Sequence, residues 1–177
     1  RSGYSLHYKL GEERTGVQTL ASYSKPLDNR LIAVYGGKAY NVSSKANVYP
    51  YEVAFTESRC QTVEYKNRLF FMNGIDTPKV FYVDDEGKEH FEDWGFTNGN
   101  IQPARIIAGA VSHEYLWFVE KNTLKAWHTK EAGTIAGELG RGDTHHFPVH
   151  IKERAAGVAG VDGRIGLDHI HGSAFGI

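Results

Sequence analysis

The sequence predicts an all-β fold made of short antiparallel strands, and three observations support this prediction. Apolar residues come in runs of four to six that are rich in Val, Ile, Tyr, Phe and Trp, and helical periodicity is scarce. Gly, Asn, Asp and Pro separate these runs, as they do in β-hairpins. Aromatic residues make up 12% of the 177 residues, and there are 20 glycines. Together these features favour a domain built from small sheets.

Three hairpin segments resemble one another and indicate an internal repeat. They are NRLIAVYGGKAYNV from Asn29, NRLFFMNGIDTPKVFYV from Asn67 and HEYLWFVEKNTLKAWHT from His113. Each contains Leu followed by mostly apolar residues, then a turn, then Lys, then an aromatic residue two positions after the Lys. The equivalent residues are Leu31, Leu69 and Leu116, then Lys38, Lys79 and Lys125, and finally Tyr40, Phe81 and Trp127.

The spacing of these segments predicts a propeller-like array of hairpins. The equivalent leucines are 38 and then 47 residues apart, and repeats of about 40–50 residues with four short strands each are typical of propeller blades. The hairpins are predicted to be the inner part of each repeat. The segments before them, TGVQTLASYS, AFTESRCQTVEY and QPARIIAGAVS, are predicted to be less regular outer strands. The alternative is three similar hairpins in an ordinary β-sandwich.

Three repeats are too few for a closed ring, since a propeller needs at least about four blades. The sequence therefore predicts an incomplete array of about three blades, either as a piece of a longer protein or as an open structure. The chain begins at Arg1 rather than Met, which favours a fragment or a processed product.

The composition changes after Phe147. Residues 1–147 are predicted to form the partial propeller domain. Residues 148–177 are rich in Gly and Ala and poor in aromatics, and they are predicted to be a loosely ordered extension. An interface arm, a broken blade, or a truncation or frameshift of the gene would also produce such a tail.

Composition and charge narrow the class of protein. Hydrophobic residues make up 41% of the chain and charged residues 23%, which is typical of a globular protein with a core. The formal net charge is −1, so no overall basic field favours nucleic-acid binding. No run approaches the roughly 18 apolar residues of a membrane-spanning helix, and no segment has the pattern of a signal peptide.

The single cysteine, Cys60, cannot form an intramolecular disulfide, so the core must stabilise the fold. A catalytic thiol is one interpretation of Cys60. A buried or idle cysteine is the favoured one.

Histidines cluster late in the chain and raise the question of a metal site. The cluster contains His145, His146 and His150 in HHFPVH, and Asp168, His169 and His171 in DHIH. Imidazoles and a carboxylate at two-residue spacing on a strand point to one face, as zinc ligands do. However, no HEXXH motif and no convincing general base accompany them. Solvated histidines are therefore favoured, and a metal-dependent hydrolase is a further alternative.

Acidic and glycine-rich segments give weaker candidates. The run Asp84-Asp85-Glu86-Gly87 lacks the spacing of an EF-hand calcium loop and predicts a polar hairpin turn. The Arg-Gly-Asp triplet within Gly140–Asp143 matches adhesion ligands, but a turn explains it well. The chain has no GxGxxG motif, no Gly-rich loop ending in Lys-Ser/Thr and no GxSxG elbow.

Carboxylates and tryptophans support a carbohydrate-binding or glycan-cleaving β-domain as the second hypothesis. Glu114 with Asp93 is an example of a glycosidase pair. Trp94, Trp117 and Trp127 are candidates for lining a sugar groove, although tryptophans at alternating strand positions are more often core residues.

The third repeat, EYLWFVEKNTLKAWHTKEAGTIAGELGRGD, has the most specific pattern of the chain, at Phe118, Glu120, Thr123, Lys125, Ala126, Trp127, Ile135, Ala136, Gly137, Leu139 and Gly140. This pattern resembles a segment of bacteriophage virion proteins of the head-to-tail connector or tail nozzle type. NRLFFMNGIDTPKVFYVD and VYGGKAYNV are similar to the preceding repeats of such proteins. The similarity covers roughly residues 15–145.

The resemblance implies a non-enzymatic structural protein of a phage or prophage particle, or a truncated remnant of one. It implies a ring around the DNA channel in the virion, made in the bacterial cytoplasm, with neighbouring copies and other tail or connector proteins as partners. It implies contact with passing DNA without sequence-specific binding, no membrane, and no catalytic residues, metal or cofactor. Exposed hairpin edges and aromatic patches, which include Tyr4, Tyr8 and the tail, are the expected interfaces.

Overall fold

A computed structural model describes residues 9–11, 16–26, 28–94, 101–123, 126–129 and 139–142, the last of these as backbone alone. Twelve β-strands and one turn of 3-10 helix (Pro103–Arg105) are assigned in these residues. The prediction of an all-β fold is therefore confirmed. Within the same ranges, no helix is long and apolar enough to cross a membrane. The predicted extension, residues 148–177, lies outside the described part of the chain.

The strands form three antiparallel sheets of four strands each, in which sequential strands are neighbours. Sheet A contains β1 (Thr19–Lys25), β2 (Asp28–Tyr35), β3 (Lys38–Asn41) and β4 (Tyr49–Ala54). Sheet B contains β5 (Gln61–Tyr65), β6 (Arg68–Met72), β7 (Lys79–Val83) and β8 (Glu89–Asp93). Sheet C contains β9 (Ile106–Ser112), β10 (Tyr115–Glu120), β11 (Ala126–Thr129) and β12 (Leu139–Gly142). The three sheets do not close into a ring in the described residues.

The repeated hairpins supply the two central strands of each sheet. In the first, Tyr35 pairs with Lys38 across Gly36 and Gly37, whose φ values are +57° and +76°. Two consecutive residues with positive φ are what a tight hairpin with the native strand twist requires, and glycine adopts this conformation without strain.

The segments before the hairpins form the edge strands β1, β5 and β9, and the prediction that they are less regular is only partly right. Strand β1 pairs with β2 over all seven of its residues without interruption. Strand β9 has a register shift opposite Val119 and Glu120. Regular pairing in β1 follows from its alternating burial, because one face of this strand packs into the core and the other does not.

Sheet B lies between the other two sheets and is buried on both faces. On one face Leu69, Phe71, Phe81 and Val83 pack with residues of sheet A. On the other face residues including Phe70, Met72 and Val80 pack with residues of sheet C. This two-sided burial explains why β6 reads as an unbroken apolar run rather than an alternating one. We call these two contacts the A–B interface and the B–C interface.

The first strands of sheets B and C approach each other closely, and a glycine permits this. A Cβ atom at Gly109 in β9 would lie 3.1 Å from Val63 Cγ1 and 3.3 Å from Met72 Cε, both in sheet B. A side chain at this position would require these neighbouring atoms to shift by a few tenths of an ångström.

Candidate functional site

The most extensive polar cluster of the described residues centres on Glu89 and joins sheet A to sheet B. Tyr49 and Tyr51 of β4 donate hydroxyl hydrogen bonds of 2.8 and 2.7 Å to Glu89 Oε2. Arg30 of β2 donates from Nε to Glu89 Oε1 in a salt bridge. Asn41 of β3 lies close by, with Nδ2 2.8 Å from the Tyr49 hydroxyl. Three strands of sheet A therefore contact one carboxylate of sheet B.

The electrostatics of this cluster favour a charged carboxylate and neutral phenols. Burial by itself raises the pKa of Glu89, but hydrogen bonds from Arg30, Tyr51 and Tyr49 outweigh it and hold that pKa below its ordinary value. Burial, followed by the hydrogen bond to Glu89, raises the pKa of Tyr51 far above its usual range. The hydrogen bond to Glu89 also raises the pKa of Arg30.

The cluster therefore acts as a structural link between sheets. Both oxygens of Glu89 already accept hydrogen bonds from strong donors, and the tyrosine hydroxyls stay protonated at any ordinary pH. The only sequence signal for the Glu89 cluster is the alternation of Tyr49 and Tyr51 along one strand. Nothing in the local sequence indicates that β4 and β8 are neighbours.

A second carboxylate, Glu120, is fully buried and explains part of the third repeat. Its side chain is 3% exposed, and its Oε2 accepts a hydrogen bond of 3.2 Å from Trp127 Nε1. Arg105 Nη1 lies 3.6 Å from Glu120 Oε1. Glu120 and Trp127 thus fix the ends of β10 and β11 against each other. This contact gives a structural reason for two of the residues that define the pattern of the third repeat.

The acidic run after β7 forms a hairpin turn, as predicted. Asp84 Oδ1 accepts the backbone N–H groups of Glu86 and Lys88, and Gly87 has a φ of +81°. The carbonyl oxygens of Val83 and Asp84 accept hydrogen bonds from Lys25 Nζ at 3.1 and 3.0 Å, which ties this turn to strand β1.

Cys60 lies in a largely buried position, packed against the core between sheets A and B. Burial, reinforced by the nearby charge of Asp76, raises the pKa of its thiol to about 12. The thiolate fraction near neutral pH is consequently very small, as expected for an unreactive cysteine rather than a nucleophile.

The three tryptophans have two different environments. Trp94 and Trp127 are 5% and 2% exposed and belong to the core of the B–C interface. Trp117 is partly exposed, and its ring lies 4.6 Å from the ring of His128. Only Trp117 is placed where it can contact a ligand in solution.

Glu114 and Asp93, the example of a glycosidase pair, lie near opposite edges of sheet B. The carbonyl oxygen of Glu114 accepts a hydrogen bond from Tyr65 on edge strand β5, whereas Asp93 is on β8, the opposite edge. Three interstrand spacings of about 4.8 Å separate the backbones of those edges by roughly 14 Å. Asp93 is also ion-paired with Lys79 at 2.6 Å.

Other sequence-based candidates have mixed outcomes. The prediction of a turn at Gly140–Asp143 is wrong for its first three residues, because Leu139–Gly142 is a strand that pairs with β11. The histidine cluster, from His145 to His171, lies outside the described residues, and so do Tyr4 and Tyr8. In the part that is described, no group of His, Cys, Asp and Glu has the arrangement of a metal site. The metal-dependent alternative stays a prediction.

Sheets A and C each have one outer face, the face directed away from sheet B, and these faces retain exposed apolar groups. On sheet A, Leu20 is 61% exposed, and Leu31 and Tyr40 are partly exposed. On sheet C, Val119 and His128 are partly exposed. None of these five residues belongs to either core.

Comparisons with known proteins give no relative for this chain: no protein-family model, curated protein or solved structure matches it significantly.

Proposed function

We propose that the chain is a non-enzymatic structural component of a phage or prophage particle, with its sheets arranged as blades of a propeller-like array in a tail nozzle or connector ring. In this role the protein forms part of the wall around a DNA channel. Its partners are neighbouring copies and other tail or connector proteins, and DNA passes it without sequence-specific binding.

The observation that carries the proposal is the stacking of three similar four-stranded sheets. Residues that the repeat matches in sequence face the same way: Leu69 and Phe81 of sheet B pack toward sheet A, and Leu116 and Trp127 of sheet C pack toward sheet B. Neighbouring sheets that bury both faces of a small four-stranded meander are the structural principle of a propeller. Together with the resemblance of the repeats to virion proteins, this supports a repeating wall element.

The uses of the buried carboxylates also favour a structural role. Glu89 links two sheets and Glu120 binds the indole of Trp127, so each is committed to interactions within the fold. Catalytic carboxylates instead have an open side toward a substrate.

The proposal is tested by peptide mass spectrometry on particles purified from the source organism after prophage induction. The tryptic peptide LFFMNGIDTPK, residues Leu69–Lys79, is a suitable tracer. Its presence in gradient-purified particles supports the proposal. Particles that lack it while other virion proteins are detected identify the chain as a remnant or as a protein of another kind.

A carbohydrate-binding surface is the second candidate, and one observation favours it. Three neighbouring rings lie on the outer face of sheet C, those of Tyr115, Trp117 and His128. The centroid of the His128 ring is 5.6 Å from that of Tyr115 and 4.6 Å from that of Trp117. Exposed aromatic rings are the usual platform for sugar rings. Glycan-array binding that is lost in Trp117→Ala and retained in Leu20→Ala, on the outer face of sheet A, would support it. The core residue Trp94 is unsuitable for this test because its replacement would damage the fold.

A further inference from the structure

We infer that the outer face of sheet A binds the outer face of sheet C of a second copy of this chain, which gives a head-to-tail dimer of six stacked sheets. This inference rests on the propeller-like arrangement in the proposed function. It adds the identity of the partner and the surfaces through which the partner binds.

The internal repeat defines which residues of the three sheets are equivalent. Leu31, Leu69 and Leu116 occupy the same position in the second strand of each sheet. In sheets B and C this leucine is buried against the preceding sheet, with 2% and 0% of its surface exposed. Sheet A has no preceding sheet among the described residues, and Leu31 remains partly exposed.

The aromatic residue two positions after the repeated lysine faces the same way in each third strand, although Phe81 pairs with Leu69 whereas Trp127 pairs with Phe118. Phe81 is fully buried against sheet A, and Trp127 is 2% exposed and packs against sheet B. The equivalent residue of sheet A, Tyr40, is partly exposed and belongs to neither core. The outer face of sheet A therefore has the same type of surface that sheets B and C use to bind the sheet before them.

The outer face of sheet C has the complementary type of surface. Val34 in sheet A and Met72 in sheet B are buried beneath the next sheet, with 0% and 1% of their surfaces exposed. The equivalent residue of sheet C, Val119, is partly exposed. In the first strand, Ala21 of sheet A is buried at the A–B interface, whereas the equivalent Ala110 of sheet C is partly exposed.

Each of these outer faces lacks a partner sheet in the described residues, although Gly11 lies against Tyr35 at one end of the outer face of sheet A. The A–B and B–C interfaces join surfaces of these two types. A second copy supplies both missing partners at once. Its sheet C binds sheet A of the first copy, and its sheet A binds sheet C of the first copy. The two contacts are equivalent by a twofold axis, so the two copies form a closed dimer. The result has six sheets, a number within the range of four to eight blades found in propellers. Contact between two outer faces of sheet A has no counterpart within the chain.

The B–C interface predicts which residues meet across the dimer. Gly109 in β9 lies against Val63 in β5, where an added Cβ would be 3.1 Å from Val63 Cγ1. By register, Leu20 is equivalent to Gly109, since they pair with the equivalent residues Ala33 and Phe118. Ala110 is equivalent to Val63, since they pair with Trp117 and Phe70. Leu20 of one copy should therefore lie beside Ala110 of the other.

The test is disulfide cross-linking of the full chain with two single variants, Leu20→Cys and Ala110→Cys, mixed under mild oxidation. Neither change should impair folding, because Leu20 is 61% exposed and Ala110 gains only a thiol. The matched control is a mixture of Ser24→Cys and Ala110→Cys. Ser24 is on the same strand and face as Leu20 but about 13 Å further along. Cys60 stays in place, since its buried thiol has a raised pKa.

We expect the Leu20→Cys and Ala110→Cys mixture to form a mixed disulfide dimer in about tenfold higher yield than the control, because binding raises the effective concentration of the two thiols. Light scattering of the unmodified chain should give twice the 19.8 kDa mass of one copy. A monomeric mass with equal cross-linking in both mixtures would overturn the inference, as would a preference of Leu20→Cys for cross-linking with itself. These results are independent of whether the chain is found in particles, so failure of the dimer and failure of the proposed function are distinguishable.

Discussion

The hydroxyl of Tyr51 in β4 donates a hydrogen bond of 2.7 Å to Glu89 Oε2 in β8, and this contact joins the last strand of sheet A to the last strand of sheet B. The first strand of sheet A is joined at another point to the segment that leads into β5, where Thr19 Oγ1 donates to the Ser58 carbonyl oxygen at 2.7 Å and accepts from the Cys60 N–H at 2.7 Å. Polar contacts therefore fix both ends of an interface whose centre is apolar. They set the orientation of the two sheets more narrowly than the core alone would.

Replacing Glu89 by Gln should lower the free energy of unfolding by about 1–3 kcal/mol, because Arg30 loses its charged partner in a partly buried site. Urea denaturation at pH 7 followed by tryptophan fluorescence measures the change. Glu86→Gln is the matched control, since Glu86 is exposed in the turn just before β8 and should change stability by less than about 0.5 kcal/mol. Equal effects of the two variants would contradict a linking role for Glu89.

The stability of the protein should fall in acid, and Glu89 should contribute to that loss. The pKa of Glu89 in the fold lies below its ordinary value of 4.5. A group with a lowered pKa stabilises the fold above its unfolded-state pKa, and this stabilisation is lost as the pH falls through the folded-state pKa. Denaturation midpoints measured from pH 7 to pH 3 should therefore decline mainly below about pH 4.5. The decline should be smaller in Glu89→Gln, and an identical pH profile in that variant would count against this assignment.

Two neighbouring phenylalanines test the two-sided burial of sheet B. Phe70 packs toward sheet C and is 0% exposed, and Phe81 packs toward sheet A and is also 0% exposed. Phe70→Leu and Phe81→Leu should each destabilise the fold by about 1–3 kcal/mol through lost packing. Ile75→Ala serves as the control, since Ile75 is 46% exposed. If only one of the two phenylalanine variants were destabilised, sheet B would have a solvent-facing side.

Gly74 in the loop between β6 and β7 should not tolerate a side chain. Its φ is +72°, and an added Cβ would lie 2.2 Å from Ile107 Cγ2 in β9. Gly74→Ala should therefore cost more than the roughly 1–2 kcal/mol of left-handed strain alone. Gly87 has a similar φ of +81° but nothing within 4 Å of an added Cβ, so Gly87→Ala isolates the strain. Thermal unfolding of both variants measures the difference, and a smaller loss in Gly74→Ala would mean that sheets B and C are further apart.

Much of the fold could be predicted from the sequence because its signals are local. The turn signals of Gly36 and Gly37 and of Asp84–Gly87 mark hairpins, and the repeated Leu, Lys and aromatic positions mark the central strands of each sheet. The acidic turn follows from residue chemistry, and the structure confirms it. Cys60 is partly buried, and the pKa of its thiol is raised.

The contacts between sheets could not be predicted because they join residues far apart in the chain. Tyr51 and Glu89 are 38 residues apart, and neither carries a local signal for the other. The prediction of a turn at Gly140 was wrong for a related reason: glycine and arginine in β12 gain strand structure from pairing with β11, which outweighs their weak intrinsic preference. The separation of Asp93 from Glu114 likewise depends on which edge of sheet B each residue is near.

The central claim, that this chain is a structural part of a particle, is tested most directly by its copy number in purified particles. Particles from an induced culture are separated on a density gradient, and an isotope-labelled form of LFFMNGIDTPK, Leu69–Lys79, serves as the internal standard. We expect several copies per particle, in a ratio to the major capsid protein that is constant across the gradient peak and unchanged by a high-salt wash. Intact particles with fewer than one copy each, or a ratio that falls to zero on washing, would contradict the claim.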